Sequence, residues 1–310
     1  MQQSETTRMK SGSLPGGVGR EKVPDRWWES AAAIKRFSLK PGLHHDSLSL
    51  EPNALSAKLD ELSAQGFSAL EIVTPWDAGI SFGGLDTRDH YHLEPGIGTV
   101  DDFRRLVRAV HSRGMAIVIF GNMGYCAADA PFFLKACDAI REGRDAEEGR
   151  WFLWSDTPDA PPPVEGDKVF LVRPTHLPGS VPGTLYDASR HEFWEYSERA
   201  ECYYWTKWAG VTGSAEDGTR QEVRLPQYNW ASPEFRQEVA RVIRFWMETG
   251  VDGWVLDAVN WYAGCDWESN RKYMTAVISG YGNAFVQPEG AGGFHEDPVS
   301  WITEGGYNCV

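Results

Sequence analysis

Apolar residues recur along the chain with helical spacing in three places. Leu55, Leu59 and Leu62 fall on one face and Gly66 ends the run, which predicts a helix over 52–66. Phe103, Leu106, Val107 and Val110 predict a second helix over 100–113. Thr99 offers an N-cap hydroxyl, Asp101 and Asp102 suit the positive helix start, and Gly114 closes it. A third helix over 234–249 follows Ser232 and Pro233 and stops at Gly250. Short apolar runs lie between: 32–39, 67–73 (FSALEIV), 115–120 (MAIVIF), 251–257 (VDGWVLD) and 284–287. MAIVIF has no polar alternation, as in a parallel strand covered on both faces. Beyond these, the pattern predicts helices over 270–279 and 298–304 and a last strand over 307–310.

Strand and helix alternating through short connectors define an α/β class with a parallel sheet of about six strands and right-handed crossovers. At this level a doubly wound sheet and a closed barrel fit equally. One stretch breaks the alternation. Residues 121–230 hold the run Pro161–Pro163 and many aromatics, and are too long for a plain loop, so they read as an inserted subdomain. Its Trp151, Trp154, Tyr203, Tyr204, Trp205 and Trp208 are expected mostly to form a small core of their own, with some free to stack on sugar. Residues 1–24 are expected to be a disordered tail, and the opening residues lack the apolar segment of a secretory signal.

Composition narrows the partners. The net charge of −14 disfavours nucleic-acid phosphates and anionic membranes, and no apolar run approaches the roughly 20 residues of a membrane span. A cytoplasmic protein with neither nucleic-acid nor membrane partner is expected, its oligomeric state open. Five cysteines without a CxxC pair exclude a zinc ribbon and point to free thiols in a reducing compartment. His44, His45 and Asp46 read as a solvated loop, so no metal is expected.

Three acids, Asp86, Asp257 and Glu289, fall at or just after strand ends, where parallel α/β folds place their active sites. Asp257 closes VDGWVLD and Glu289 closes AFVQP. On neighbouring strands two such carboxyls can stand about 5 Å apart, the spacing of a retaining glycosidase. Each could instead cap the following helix. His90 and His92 alternate on an extended segment near Asp86, so that one could line a sugar site.

The stretch LPQYNWASPEFRQEVARVIRFWMETGVDGWVLDAV, from Leu225 to Val259, resembles the α-amylase family of glycoside hydrolases and transferases. It is similar to that family's run from an LPDLN-type motif through a helix to a G-x-R-x-D-A strand, whose acid is the nucleophile; that position is Asp257. DTRDHYHLEPGIGT, from Asp86, is similar to the family's D-x-x-D-Y-x-x-I-D-P-x-F-G-T segment. Ala130 to Phe133 match an HPWF-like turn, and Trp27-Trp28 a WW start. The likeness runs from about Asp25 to Val310. It implies a (β/α)8 TIM-type barrel, incomplete here, with residues 25–120 its first part, 121–230 an inserted B-type subdomain after strand 3, and 231–310 a truncated continuation. It implies Asp257 as nucleophile and Glu289 as acid/base, with Asp86, His90 and Tyr125 binding substrate. No organic cofactor and no metal is implied, since Gln227 replaces the LPDLN Asp.

The departures concentrate on the site. Val255 stands where the family has Arg, Phe120 where it has the third-strand Asp, Gly124-Tyr125 for Asn-His, and Leu85 for the Tyr before the first-site Asp. The family's third catalytic acid would fall after Val310. Losing both the Arg and the Asp to apolar groups can be neutral for folding, where losing one would strand a charge. Without that Arg, burial is expected to raise the Asp257 pKa and weaken it as a nucleophile. Two functions remain open: an α-glycoside hydrolase or transglycosylase of impaired activity on α-glucans or α-glucoside oligosaccharides, or a non-catalytic amylase-like domain that binds carbohydrate or a partner protein.

Overall fold

A computed structural model of the chain describes residues 22–30, 32–41, 45–79, 84–158, 160, 194–206, 208–212, 221–259, 273–274, 277–278, 280–281, 284–289, 302 and 307. In chain order its elements are β1 (Ile34–Ser38), α1 (Pro52–Ala64), β2 (Ala69–Val73), β3 (Trp76–Ala78), β4 (Thr87–Leu93), α2 (Val100–His111), β5 (Ala116–Gly121) and α3 (Pro131–Arg141). Then follow β6 (Trp154–Ser155), β7 (Trp194–Ser197), β8 (Cys202–Trp205), β9 (Trp208–Thr212), β10 (Gln221–Leu225), α4 (Pro233–Met247), β11 (Gly253–Leu256) and β12 (Phe285–Pro288). Residues 1–21 of the expected tail, most of the 270–279 and 298–304 helices and most of the last strand lie outside the described residues, whereas Val23, at the tail's end, is buried in the inner cluster with Trp27.

The capping chemistry forms as the sequence dictates. Thr99 Oγ1 accepts from the Asp102 amide at 3.3 Å while Asp102 Oδ2 accepts from the Thr99 amide at 2.7 Å, a closed capping box at the start of α2. Ser232 Oγ accepts from the Phe235 amide at 3.2 Å at the start of α4. α3 lies within the stretch whose sequence gave no regular pattern; it starts at Pro131 and buries Phe133, Ala136 and Cys137.

Five strands pair in parallel in the order β1-β2-β5-β11-β12. That is simple chain order with no reversal. A doubly wound sheet reverses at a switch point, whereas a barrel does not, so the sheet is part of a (β/α)8-type barrel. Its two faces are both covered. Leu70, Ile72, Ile117, Ile119, Trp254 and Leu256 pack outward onto the helices. Ala69, Val73, Ala116, Val118, Phe120, Val255 and Phe285 face inward with Trp27. The Trp27 ring lies 5.2 Å from that of Phe285, at the N-terminal end of the strands.

Two features bring β11 beside its neighbours. Gly253 has φ 153°, and a Cβ there would lie 2.1 Å from the Phe285 carbonyl oxygen, so only glycine lets β12 approach this closely. Asp252, just before β11, accepts on Oδ2 from the Ile117 amide at 2.8 Å, with His111 Nε2 2.8 Å from the same oxygen.

The remaining strands form small antiparallel sheets, β3 with β4, β6-β8-β7, and β9 with β10. The insertion's aromatics do not make a wholly separate core. Trp194 and Trp205 pair at 5.1 Å, but Trp154 stacks on Phe133 of α3 at 5.9 Å, and Trp151 and Tyr204 join the main core. The Trp208 side chain lies outside the described residues.

Candidate active site

The carboxyl ends of β11 and β12 carry Asp257 and Glu289. Register aligns Leu256 with Pro288, so each acid is the next residue on its strand, and the Glu289 amide donates to the Leu256 carbonyl at 2.8 Å. Alternation along a strand puts Asp257 on the same face as Val255, the inner one. The Asp257 amide donates to the Gly121 carbonyl at 3.0 Å, which ties this end of β11 to the end of β5. Ala258 then turns the chain away with φ 44°, a left-handed conformation that costs a side-chain-bearing residue about 1–2 kcal/mol.

The two carboxyls touch. Asp257 is 5% exposed, and its side chain shares a hydrogen bond with that of Glu289. Burial pushes the Asp257 pKa well up, and the hydrogen bond and negative charge of Glu289 push it further; Arg36 opposes them.

Arg36 and Glu71 were not singled out by sequence reasoning. They face each other in register on β1 and β2 and form an ion pair, with Glu71 buried and Arg36 partly exposed. Burial raises the Glu71 pKa, Arg36 lowers it, and Glu289 adds to the rise. The Arg36 guanidinium lies 4.5 Å from the centre of the Phe120 ring. A glutamate in the middle of the apolar run FSALEIV was the one signal in the sequence. Its partner depends on how β1 registers on β2, which neither strand's own pattern reveals.

Asp86 and Tyr125 approach this end of the barrel through Asn122. Asn122 Nδ2 donates to the Leu85 and Tyr125 carbonyls, both at 2.9 Å, and Leu85 packs against the inner cluster of Phe120 and Val255. Asp86 is buried, as is Tyr125, which bridges to Gln227. Lys40, two residues past β1, is a further buried charge, 3.3 Å from both Glu94 Oε2 and the Gly84 carbonyl. Burial holds its pKa down, against the attraction of Glu94, Asp86 and Asp77.

His90 lies in the interior beside β3. It is fully buried among Trp76, Phe132 and Tyr228, with ring centres 5.7–6.2 Å away, and burial lowers its pKa to about 4. Phe132 and Tyr228 are far from it in sequence, so no local pattern could show the full burial. His92 is exposed and pairs with Asp89 at 2.8 Å.

A surface groove of about 530 Å³ lies beside the end of β1 and the starts of α1 and α2, lined by Leu39, Leu48, Leu50, Ile97, Asp102 and Arg105 among others. Neither Asp257 nor Glu289 borders it. Among the described residues no group of three or more His, Cys, Asp or Glu is arranged to hold a metal ion, and no helix is long and apolar enough to cross a membrane.

A family model described as the alpha amylase catalytic domain matches residues 53–277. The chain is similar to an alpha-glucosidase of Schizosaccharomyces pombe, 24% identical over 265 residues that are 84% of this chain and 39% of that protein. It is similar to a trehalose synthase/amylase of Mycolicibacterium smegmatis, 26% identical over 205 residues, 66% of this chain and 29% of that one. In structure it is similar to the trehalose-6-phosphate hydrolase of Bacillus licheniformis, with a TM-score of 0.60 at 18% identity over 84% of this chain and 44% of the other. The chain spans less than half the length of each of these proteins.

Proposed function

The chain belongs to the α-amylase catalytic-domain family, and on that footing we propose that it is an α-glucoside hydrolase or transglycosylase acting by retaining double displacement, with Asp257 as nucleophile and Glu289 as acid/base. One observation carries the reading: two acids at the carboxyl ends of adjacent barrel strands, in hydrogen-bond contact at the mouth. Alpha-glucosidase and trehalose synthase/amylase among the relatives support an α-glucan or α-glucoside oligosaccharide as the substrate class. Residues 25–120 and 231–310 are then barrel and 121–230 the B-type insertion, with Asp86 and Tyr125 holding sugar hydroxyls. The free Cys126, Cys137 and Cys202 agree with a reducing, cytoplasmic setting.

Double displacement needs Asp257 ionised and Glu289 protonated. Moving the proton along their shared hydrogen bond arms both groups at once. The glucosyl ring then parts the pair. An Asp257 oxygen bonds to the anomeric carbon as the glycosidic bond breaks, and Glu289 gives its proton to the leaving oxygen. Glu289, now ionised, takes a proton from water or from a sugar hydroxyl, whose oxygen displaces Asp257. Desolvation and the missing Arg at Val255 keep the first proton transfer uphill, so turnover is slow.

The raised Asp257 pKa favours a second reading, an inert domain that binds carbohydrate. Trapping with a 5-fluoro glucosyl fluoride and mapping the peptides by mass separates the two. A label on Asp257 supports the enzyme. An unlabelled, folded chain that still binds maltooligosaccharide supports the binding domain and overturns the enzyme.

A further inference from the structure

We propose that Arg36, on β1, is the positioning residue that supplies positive charge to the Asp257–Glu289 carboxyl pair, in place of the cation that β11 lacks at Val255. This rests on the reading of Asp257 and Glu289 as the reacting pair.

The geometry comes from register. Val73, Phe120 and Val255 align across β2, β5 and β11 and form an apolar wall at one level of the barrel. Arg36 and Glu71 align with each other one step nearer the N-terminal ends. The Arg36 side chain reaches up this wall, with its guanidinium 4.5 Å from the Phe120 ring centre. The ring face attracts the cation, and Glu71 anchors it through Nε. A guanidinium has five donor hydrogens in a fixed fork, so one anchored edge leaves others to face the mouth. Low-dielectric walls let such a charge act at longer range than one in water.

Among the described residues, two charged groups act on Asp257. Glu289 faces it from β12 and Arg36 from β1. β2 contributes Glu71, which faces Glu289 and Arg36. β5 contributes Phe120 and Gly121, which carry no charge. Burial and Glu289 hold the Asp257 proton on; Arg36 pulls toward the ionised form. Phe120 thus has a use beyond filling space, because its ring seats the cation that the pair depends on.

The test is a carbon-13 NMR titration of aspartate-labelled full-length chain, with the Asp257 signal assigned by its loss in Asp257→Asn. In Arg36→Met the Asp257 midpoint is expected to rise by about one pH unit, a tenfold gain in proton affinity. Arg36→Lys keeps the charge and is expected to recover most of the shift. Glu71→Gln leaves the cation in place and is expected not to raise the midpoint. Arg36→Met strands the buried Glu71, so the double variant Arg36→Met/Glu71→Gln serves where the single one does not fold, with the same rise expected. An unmoved midpoint in a folded Arg36→Met or double variant overturns the proposal. This readout needs no sugar turnover. A chain that turns over no α-glucoside but shows the shift sinks the hydrolase reading and leaves the role of Arg36 standing; an active chain without the shift does the reverse.

Discussion

Asp257 and Glu289 share a hydrogen bond one residue beyond the paired Leu256 and Pro288, at the ends of neighbouring parallel strands. Burial first, and then the hydrogen bond and charge of Glu289, hold the proton on Asp257. The proton couples folding to pH.

The sign follows from the raised pKa. The unfolded Asp257 releases its proton near pH 3.9, whereas the folded chain keeps it to a higher pH. The contribution of Asp257 is therefore full below about pH 3.9 and is lost as pH rises through the folded value. Asp257→Asn keeps an N–H donor for Glu289 and cannot ionise. Urea titrations are expected to find it more stable than the parent at pH 8, with the gap closing toward pH 4. An equal gap at both pH values would refute the shared proton.

His90 acts in the opposite sense. Its folded pKa of about 4 lies below the ordinary 6.5 because burial excludes the charged ring. The unfolded chain takes up a proton that the folded chain refuses, so stability falls as pH drops from about 6.5 to about 4, by roughly 3 kcal/mol. His90→Phe keeps the stack on Phe132 and removes the titrating group. Thermal melts between pH 4 and 7 are expected to show a flatter profile for this variant, and an unchanged slope would place the coupling elsewhere.

These two residues show what the sequence made legible. Helices α1, α2 and α4 follow from helical spacing together with local signals such as Thr99, Ser232 and Gly250, all within one turn of the ends they define. Asp257 and Glu289 stand at strand ends because apolar runs stop there. α3 was hidden. Its N-cap is Ala130, with no side-chain hydrogen bond, and aromatics crowd both sides of the Phe133, Ala136 and Cys137 spacing. Arg36, Glu71 and His90 were illegible as a site for one reason: their surroundings are assembled by strand register and by rings distant in sequence. A one-dimensional pattern shows that a residue is polar within an apolar run, not what it meets.

His111 and Asp252 brace the N-terminal end of β11, opposite the carboxyl pair. Their side chains are 1% and 0% exposed, and Asp252 Oδ2 serves both His111 Nε2 and the Ile117 amide. Asp252→Ala strips both groups of their acceptor and is expected to cost about 3–5 kcal/mol. Asp252→Asn retains an oxygen for the Ile117 amide and should cost less. Chemical denaturation ranks the two, and equal losses would mean that the brace works through charge alone.

Phe120 and Val255 face each other in register on β5 and β11, where the family usually has Asp and Arg. Phe120→Asp alone puts a carboxylate beneath the Arg36 guanidinium, which now lies 4.5 Å from the ring centre. That charge is not stranded, but it draws Arg36 away from Asp257, so α-glucoside turnover is expected to fall. Val255→Arg alone sets a second cation beside Arg36 and is expected to destabilise the fold. Together the substitutions make a new pair that leaves Arg36 its own partner and brings a cation within two residues of Asp257. The double variant is expected to lower the Asp257 midpoint and raise kcat about tenfold for each pH unit of that fall, until the midpoint passes below the assay pH. Turnover that stays flat while the midpoint falls would show that proton affinity is not what limits this site.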